Sequence, residues 1–142
     1  MFQDSTGPDG SVSKKLVLIV DDDSFSQAFF SEMLTALGIS EIVSASNGRT
    51  ALRTLNTLAR PPDLLICDVF MPDMDGIEFL DQLAKKAYAG GVILVSGQDA
   101  SMMEIALQVA QTNGQKLMGA YTKPVSMSVL AETIRRADSI PC

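Results

Sequence analysis

The chain has 142 residues, of which 46% are hydrophobic and 20% charged, which suffices for one compact core and is short for two. Its formal net charge of −6, with no Lys/Arg run, lacks the electrostatic footprint of direct nucleic-acid binding, and no apolar stretch reaches membrane-spanning length. Histidine is absent and the cysteines are Cys67 and Cys142, which removes imidazole acid–base chemistry, most transition-metal sites and a disulfide framework.

Residues 1–13 are rich in Gly, Ser, Asp and Pro without helical or alternating pattern, and read as a flexible leader. They lack the apolar middle of a secretion signal, so the chain reads as cytoplasmic. One domain is expected over 14–138, with 139–142 as a tail. LVLIV at 16–20 is apolar on successive residues, the pattern of a strand covered on both faces. Ser24 to Leu37 carries Phe25, Ala28, Phe29, Met33, Leu34 and Leu37 at helical spacing and stops at Gly38. EIVSA at 41–45 is a second strand. Asn47 caps a second helix with the stripe Ala51, Leu52, Leu55 and Leu58, ended by Pro61-Pro62. DLLICD at 63–68 is the third strand, with Cys67 a small core residue. Gly76 opens a third helix bearing Ile77, Phe79, Leu80 and Leu83. GVILVS at 91–96 is the fourth strand, followed by a helix capped by Ser101 and carrying Ile105, Ala106, Val109 and Ala110. KLMGAYT at 116–122 is the fifth, and Ser126 caps a last helix with Val129, Leu130 and Ile134.

This alternation predicts an α/β fold with a doubly wound five-stranded parallel sheet and five helices, because right-handed crossovers place helices on both faces. The flavodoxin-like order 2-1-3-4-5 suits five strands, and its ligands bind beyond the carboxyl ends, at the switch between strands 1 and 3. Polar residues gather at that edge: Asp21, Asp22 and Asp23 after strand 1, Asp68 ending strand 3, Ser96 ending strand 4, and Lys123 before Pro124 after strand 5. Asp23 reads as a plain helix cap. Asp21 and Asp22 beside Asp68 would repel one another unless a cation compensates, and a magnesium ion that keeps waters and takes phosphate oxygens fits such a cluster. A carboxylate nucleophile for a phosphoryl group follows. Asp68 attacks phosphorus in line, the ion and Lys123 neutralise the equatorial oxygens, and the Ser96 hydroxyl donates to one of them.

The segments LVLIVDDDS, LLICDVFMPDMDGIEFL, VILVSG and YTKP resemble, in order and spacing, the signature blocks of the response-regulator receiver family. The resemblance spans roughly Lys15 to Asp138. It implies that Asp68 is the phosphoacceptor, that Asp21 and Asp22 are the acidic pair, and that Ser96 and Lys123 are the family's hydroxyl and lysine. Asp22 and Asp68 would bind Mg2+, or Mn2+, directly, Asp21 through water, with the backbone carbonyl of Phe70 as a further ligand. It also implies a cis peptide between Lys123 and Pro124, and no enzyme activity beyond self-catalysed phosphotransfer and dephosphorylation. The implied partners are a histidine kinase or histidine phosphotransfer protein as donor, an output domain or effector protein, and a second copy in a phosphorylation-dependent dimer. GQKLMGAYTKPVSMSVL is similar to the corresponding stretch of receivers joined to cyclic-di-GMP phosphodiesterase domains.

Two other functions compete. An aspartyl-nucleophile phosphatase needs a second aspartate two residues on, where this chain has Phe70; a flavodoxin-like cofactor binder needs a Ser/Thr/Gly phosphate loop where it has three aspartates. Pro72, Asp73 and Gly76 read as shaping the loop after Asp68. Gly97 reads either as room for a phosphoryl group or as a turn glycine, and Met71, Met74, Met102, Met103 and Met127 read as packing. One position departs from the resemblance: receivers carry Tyr or Phe three residues before the lysine, and here that residue is Ala120. The adjacent Tyr121 is expected on the opposite face of the strand.

Overall fold

The computed structural model of the chain describes residues 15–71, 74, 76–97 and 100–139. The expected leader at 1–13, Pro72, Asp73, Cys142 and all of the tail but Ser139 lie outside the described residues. Strands β1 (Leu16–Val20), β2 (Glu41–Ala45), β3 (Leu64–Asp68), β4 (Gly91–Ser96) and β5 (Lys116–Thr122) alternate with five helices. These are α1 (Ser24–Ala36), α2 (Gly48–Thr57), α3 (Gly76–Lys85), α4 (Ala100–Thr112) and α5 (Met127–Ser139). The strands form one parallel sheet in the order β2-β1-β3-β4-β5. β1 and β3 are therefore neighbours, although α1, β2 and α2 separate them in the chain.

Residues alternate between two cores, one on each side of the sheet. Leu18, Val20, Leu65, Cys67, Val92 and Leu94 pack under Ala51 of α2, Phe79, Leu80 and Leu83 of α3, and Ala106 and Ala110 of α4. Val17, Ile19, Ile66, Ile93 and Val95 pack under Phe30, Met33 and Leu34 of α1 and Leu130 and Ile134 of α5. Both faces being covered explains why β1, β3 and β4 are apolar on consecutive residues. Cys67 is fully buried, and burial first, then the charges of Asp68 and Asp21, pushes its thiol up, which leaves it an inert core residue. Met71 and Met74 are likewise buried in the core, whereas Met127 is half exposed.

Helix boundaries follow capping chemistry. Asp23 accepts the Phe25 amide at 3.2 Å and caps α1, Asn47 accepts the Thr50 amide at 2.8 Å and caps α2, and Ser126 accepts the Val129 amide at 3.2 Å at the start of α5. Gly38 takes the left-handed conformation that ends α1, with φ 94°. Three expectations need correction. The buried face of α1 is Phe30, Met33 and Leu34, while Phe25 is 76% and Phe29 38% exposed, because the helix is rotated so that position 30 meets the sheet. α2 stops at Thr57, before the prolines, where Leu58 turns extended. Arg60, barred from the helical region by Pro61, leads into the next strand and pairs with Glu41 at 2.9 Å and Asp63 at 3.0 Å. α4 begins at Ala100, which places Ser101 inside the first turn rather than at the cap.

β5 carries an irregularity: Val92 pairs with Leu117 but Ile93 pairs with Gly119, so Met118 is an extra residue. Beyond it the side-chain alternation is reset. Ala120 faces the core under α4 and Tyr121 the core under α1 and α5, as expected for the two residues. The Tyr121 hydroxyl lies 2.5 Å from Thr133 Oγ1, and its ring occupies the space a side chain on Gly119 would need.

Gly76 joins the end of β3 to α3. Its amide donates to the Val69 carbonyl at 3.0 Å, and a Cβ there would stand 2.6 Å from Val69 Cα and 3.0 Å from the Asp68 carbonyl oxygen. The obstructing atoms are backbone, so Gly76→Ala must push α3 away from the strand that carries Asp68. The expected cost is about 1–3 kcal/mol, the range for overpacking a filled site. Thermal denaturation checks it: Gly76→Ala should melt below the wild type, and an equal melting temperature would show that this contact is dispensable.

Candidate functional site at the carboxyl edge of the sheet

Strand order brings the ends of β1 and β3 together, and with them Asp21 and Asp68. Both are buried, at 1% and 6% exposure, whereas Asp22 faces solvent. Asp21, Asp22 and Asp68 each offer a carboxylate oxygen, and these oxygens all lie within 4.8 Å of one another. Asp23 belongs to the helix cap, not to this cluster. Like charges at such spacing repel, and the structure supplies one compensating group from the loop after β5. Lys123 Nζ donates to Asp21 Oδ2 at 2.8 Å and to Asp68 Oδ2 at 3.2 Å.

Local backbone bonds aim these groups. Asp21 Oδ1 accepts the Asp23 amide at 2.9 Å, and Asp68 Oδ1 accepts the Phe70 amide at 3.0 Å. The Lys123 amide donates to the Ser96 carbonyl at 2.7 Å, tying the lysine loop to the end of β4, and the Lys123-Pro124 peptide is cis, as expected. Ser96 is buried at 3% exposure and lines a pocket of about 340 Å³ with Asp22, Asp68, Phe70, Met102 and Lys123. Phe70 is 65% exposed at its rim. Gly97 also lines it, and a Cβ there would meet nothing within 4 Å, so space alone does not demand glycine. All the sequence-predicted site residues thus sit at one edge.

Electrostatics follow burial and neighbours. Burial, opposed by the Phe70 amide and Lys123 and reinforced by Asp21, holds the Asp68 carboxyl above its ordinary range. For Lys123, burial alone would lower the pKa, but the hydrogen bond to Asp21 and the charges of Asp68 and Asp21 outweigh it, so the ammonium is held more firmly protonated than usual. Three carboxylates against one ammonium leave a net charge of −2 at the site when all are ionised. An all-oxygen donor set with that excess fits a hard divalent cation.

Three residues enter the site that apolar periodicity passes over. Gln27 Nε2 donates to the Asp21 carbonyl at 2.6 Å and clamps the end of β1 to α1. Ser26 Oγ lies 3.3 Å from Lys123 Nζ. Met102, in the first turn of α4, lines the pocket. The available signal for Ser26 and Gln27 is position: three and four residues past the Asp23 cap, they share the turn facing the strand ends.

Comparison with known proteins agrees with this geometry. Residues 17–135 match the family model of the response regulator receiver domain. The chain is 36% identical over 109 residues to the "Probable chemotaxis protein CheY" of Rhizobium etli, covering 72% of this chain and 81% of that protein. It is 31% identical over 123 residues to the positive alginate biosynthesis regulatory protein of Pseudomonas aeruginosa, covering 85% of this chain but only 46% of that longer protein. Among solved structures, a response regulator from Colwellia psychrerythraea superposes with a TM-score of 0.73 at 27% identity, over 89% of this chain and 98% of that one. The FixJ-N crystal structure gives 0.74 at 25%, over 91% and 97%. Among the described residues no helix is long and apolar enough to cross a membrane. With its strand order, its acidic edge and its match over 17–135, the chain belongs to the CheY-like receiver domains of two-component response regulators.

Proposed function

We propose that the chain accepts a phosphoryl group on Asp68 and relays the resulting change to an output domain or partner. The supporting observation is the Lys123 ammonium bridging Asp21 and the buried Asp68 inside a set of three carboxylates within 4.8 Å. In the transfer, an Asp68 oxygen forms a bond to phosphorus as the bond from phosphorus to the donor breaks, and the leaving group departs with the bonding pair. Lys123 stands where it can neutralise charge on the phosphoryl oxygens, and the Ser96 hydroxyl lines the same pocket to donate to one of them. The donor on this reading is a phosphohistidine on a histidine kinase or phosphotransfer protein, which sets the chain in the cytoplasm. The recipient is an output domain or effector, a cyclic-di-GMP phosphodiesterase domain being the kind to which receivers with a similar β5 stretch are joined, or a second copy of the chain.

Magnesium, or manganese, would be held by Asp22, Asp68 and the Phe70 carbonyl, with Asp21 through water; when bound it supplies positive charge to the phosphoryl oxygens. The chain's own residues do the rest: Asp68 attacks, Lys123 and Ser96 orient, and the Phe70 amide fixes the Asp68 carboxylate.

Asp68→Asn should abolish covalent labelling by acetyl phosphate with magnesium, read by intact mass, while the protein stays folded; a variant labelled as fully as the wild type refutes the assignment. Magnesium should raise the melting temperature of the wild type by relieving carboxylate repulsion, and raise it less in Asp22→Ala. Equal shifts in the two proteins would remove Asp22 from the metal site.

The relay must work without an inward-turning aromatic, because Ala120 occupies the position facing α4 and Tyr121 is bonded to Thr133 on the other side. Met102 gives α4 a direct place in the pocket. On this reading the response passes from Ser96 to α4, whose population a phosphoryl group shifts; Gln98 and Asp99, expected to share in it, lie outside the described residues. Comparison of the free protein with its beryllofluoride complex tests this. Movement centred on Gln98 to Met103 with Tyr121 unmoved is expected, and a large Tyr121 rotamer change coupled to Ser96 would overturn it.

A further inference from the structure

An ammonium has three N–H donors, and Lys123 directs them at three acceptors. Two are the carboxylates of Asp21 and Asp68, at 2.8 and 3.2 Å; the third is the hydroxyl of Ser26, at 3.3 Å. Ser26 lies on no strand end. It reaches the site from the first turn of α1, where it is half-buried. A serine hydroxyl has a single proton, and that proton goes to Asp23 Oδ2 at 3.0 Å, which turns the oxygen lone pairs toward the lysine. Asp23 is itself fixed, because its other oxygen caps α1 by accepting the Phe25 amide at 3.2 Å. The chain of contacts from the helix cap through Asp23 and Ser26 ends on the lysine.

We infer that Ser26, oriented by Asp23, is a positioning residue for the Lys123 ammonium in phosphoryl transfer. This rests on the phosphoacceptor reading of Asp68. Lysine is a point charge on a flexible stem, so its value to the transition state depends on being held before charge develops. Asp21 holds it from the sheet side and Ser26 from the helix side. When a phosphoryl group reaches Asp68, the contact to the Asp68 oxygen is the one exchanged for a phosphoryl oxygen. The other two stay and keep the ammonium in line.

The experiment measures phosphoprotein formation by intact mass against acetyl phosphate concentration, at saturating magnesium, for wild type, Ser26→Ala and Ser26→Thr. The expected result for Ser26→Ala is a maximal rate constant roughly three- to tenfold lower, the effect of losing one ordinary hydrogen bond, as the 3.3 Å separation suits. The half-saturating donor concentration should stay unchanged, since Ser26 acts through Lys123; Ser26→Ala also loses the bond to the Asp23 cap, so a small drop in melting temperature is expected while the protein stays folded at the assay temperature. Ser26→Thr, which keeps a hydroxyl, should recover most of the rate. A Ser26→Ala variant as fast as a labelled wild type, or a Ser26→Thr variant as slow as Ser26→Ala, refutes the role of Ser26 and leaves the phosphoacceptor reading standing. A wild type that takes up no phosphoryl group refutes both.

Discussion

Two buried carboxylates side by side, Asp21 and Asp68, and the single ammonium that both share set the terms for the rest of the molecule. Unit like charges at about 5 Å repel by roughly 3 kcal/mol even at an effective dielectric near 20, so neither carboxylate sits there without a cation. The sheet order puts the pair together, because β1 and β3 are neighbours while Asp21 and Asp68 are their next or last residues. The cation must then come from elsewhere in the chain. It comes from beyond β5, two strands away from β3, and arrives because the Lys123 amide is bonded to the carbonyl of Ser96 at the end of β4. Burial at this edge is thus built by strand pairing on one side and by a main-chain bond on the other.

The same constraint explains why the surroundings are so heavily hydrogen-bonded by backbone. Each buried carboxylate has one oxygen on Lys123 and the other on an amide two residues later, Asp23 for Asp21 and Phe70 for Asp68. These local turns hold the oxygen of each carboxylate that Lys123 does not, so the backbone just past each strand sets the acidic geometry. Gly76 serves the same end from behind, letting α3 start against the Val69 backbone at a distance no side chain tolerates.

Much of this was legible in the sequence, for reasons specific to certain residues. β1, β3 and β4 are buried on both faces and therefore apolar without interruption, and the acidic, hydroxyl and lysine residues fall at their ends or just beyond β5. Caps at Asp23, Asn47 and Ser126 are local and so can be read locally. What stayed hidden depends on tertiary contact. Phe25, Phe29 and Phe30 all satisfy helical spacing, and only docking on the sheet decides that Phe30 goes inside. The extra residue at Met118 leaves no mark in a small-residue strand, yet it resets which face Ala120 and Tyr121 take. Ser26 and Gln27 are ordinary helix residues until α1 is laid across the strand ends.

Charge balance links the resting site to its proposed use. Asp21, Asp22 and Asp68 against Lys123 leave an excess of two negative charges, the deficit a divalent ion fills. A phosphoryl group on Asp68 replaces a charge of −1 by one nearer −2 and moves it outward into the pocket, so the balance is upset in place and in size. The donors able to answer are those already lining the pocket, the Ser96 hydroxyl and the Lys123 ammonium. Lys123 is anchored by Asp21 and by Ser26 and has little freedom to follow. Ser96 ends a strand and opens onto the segment leading to α4, where Met102 shares the pocket wall. With no aromatic ring at position 120 to carry motion across β5, the proposed function routes any movement of Ser96 toward the new charge to α4, which shares the pocket wall through Met102.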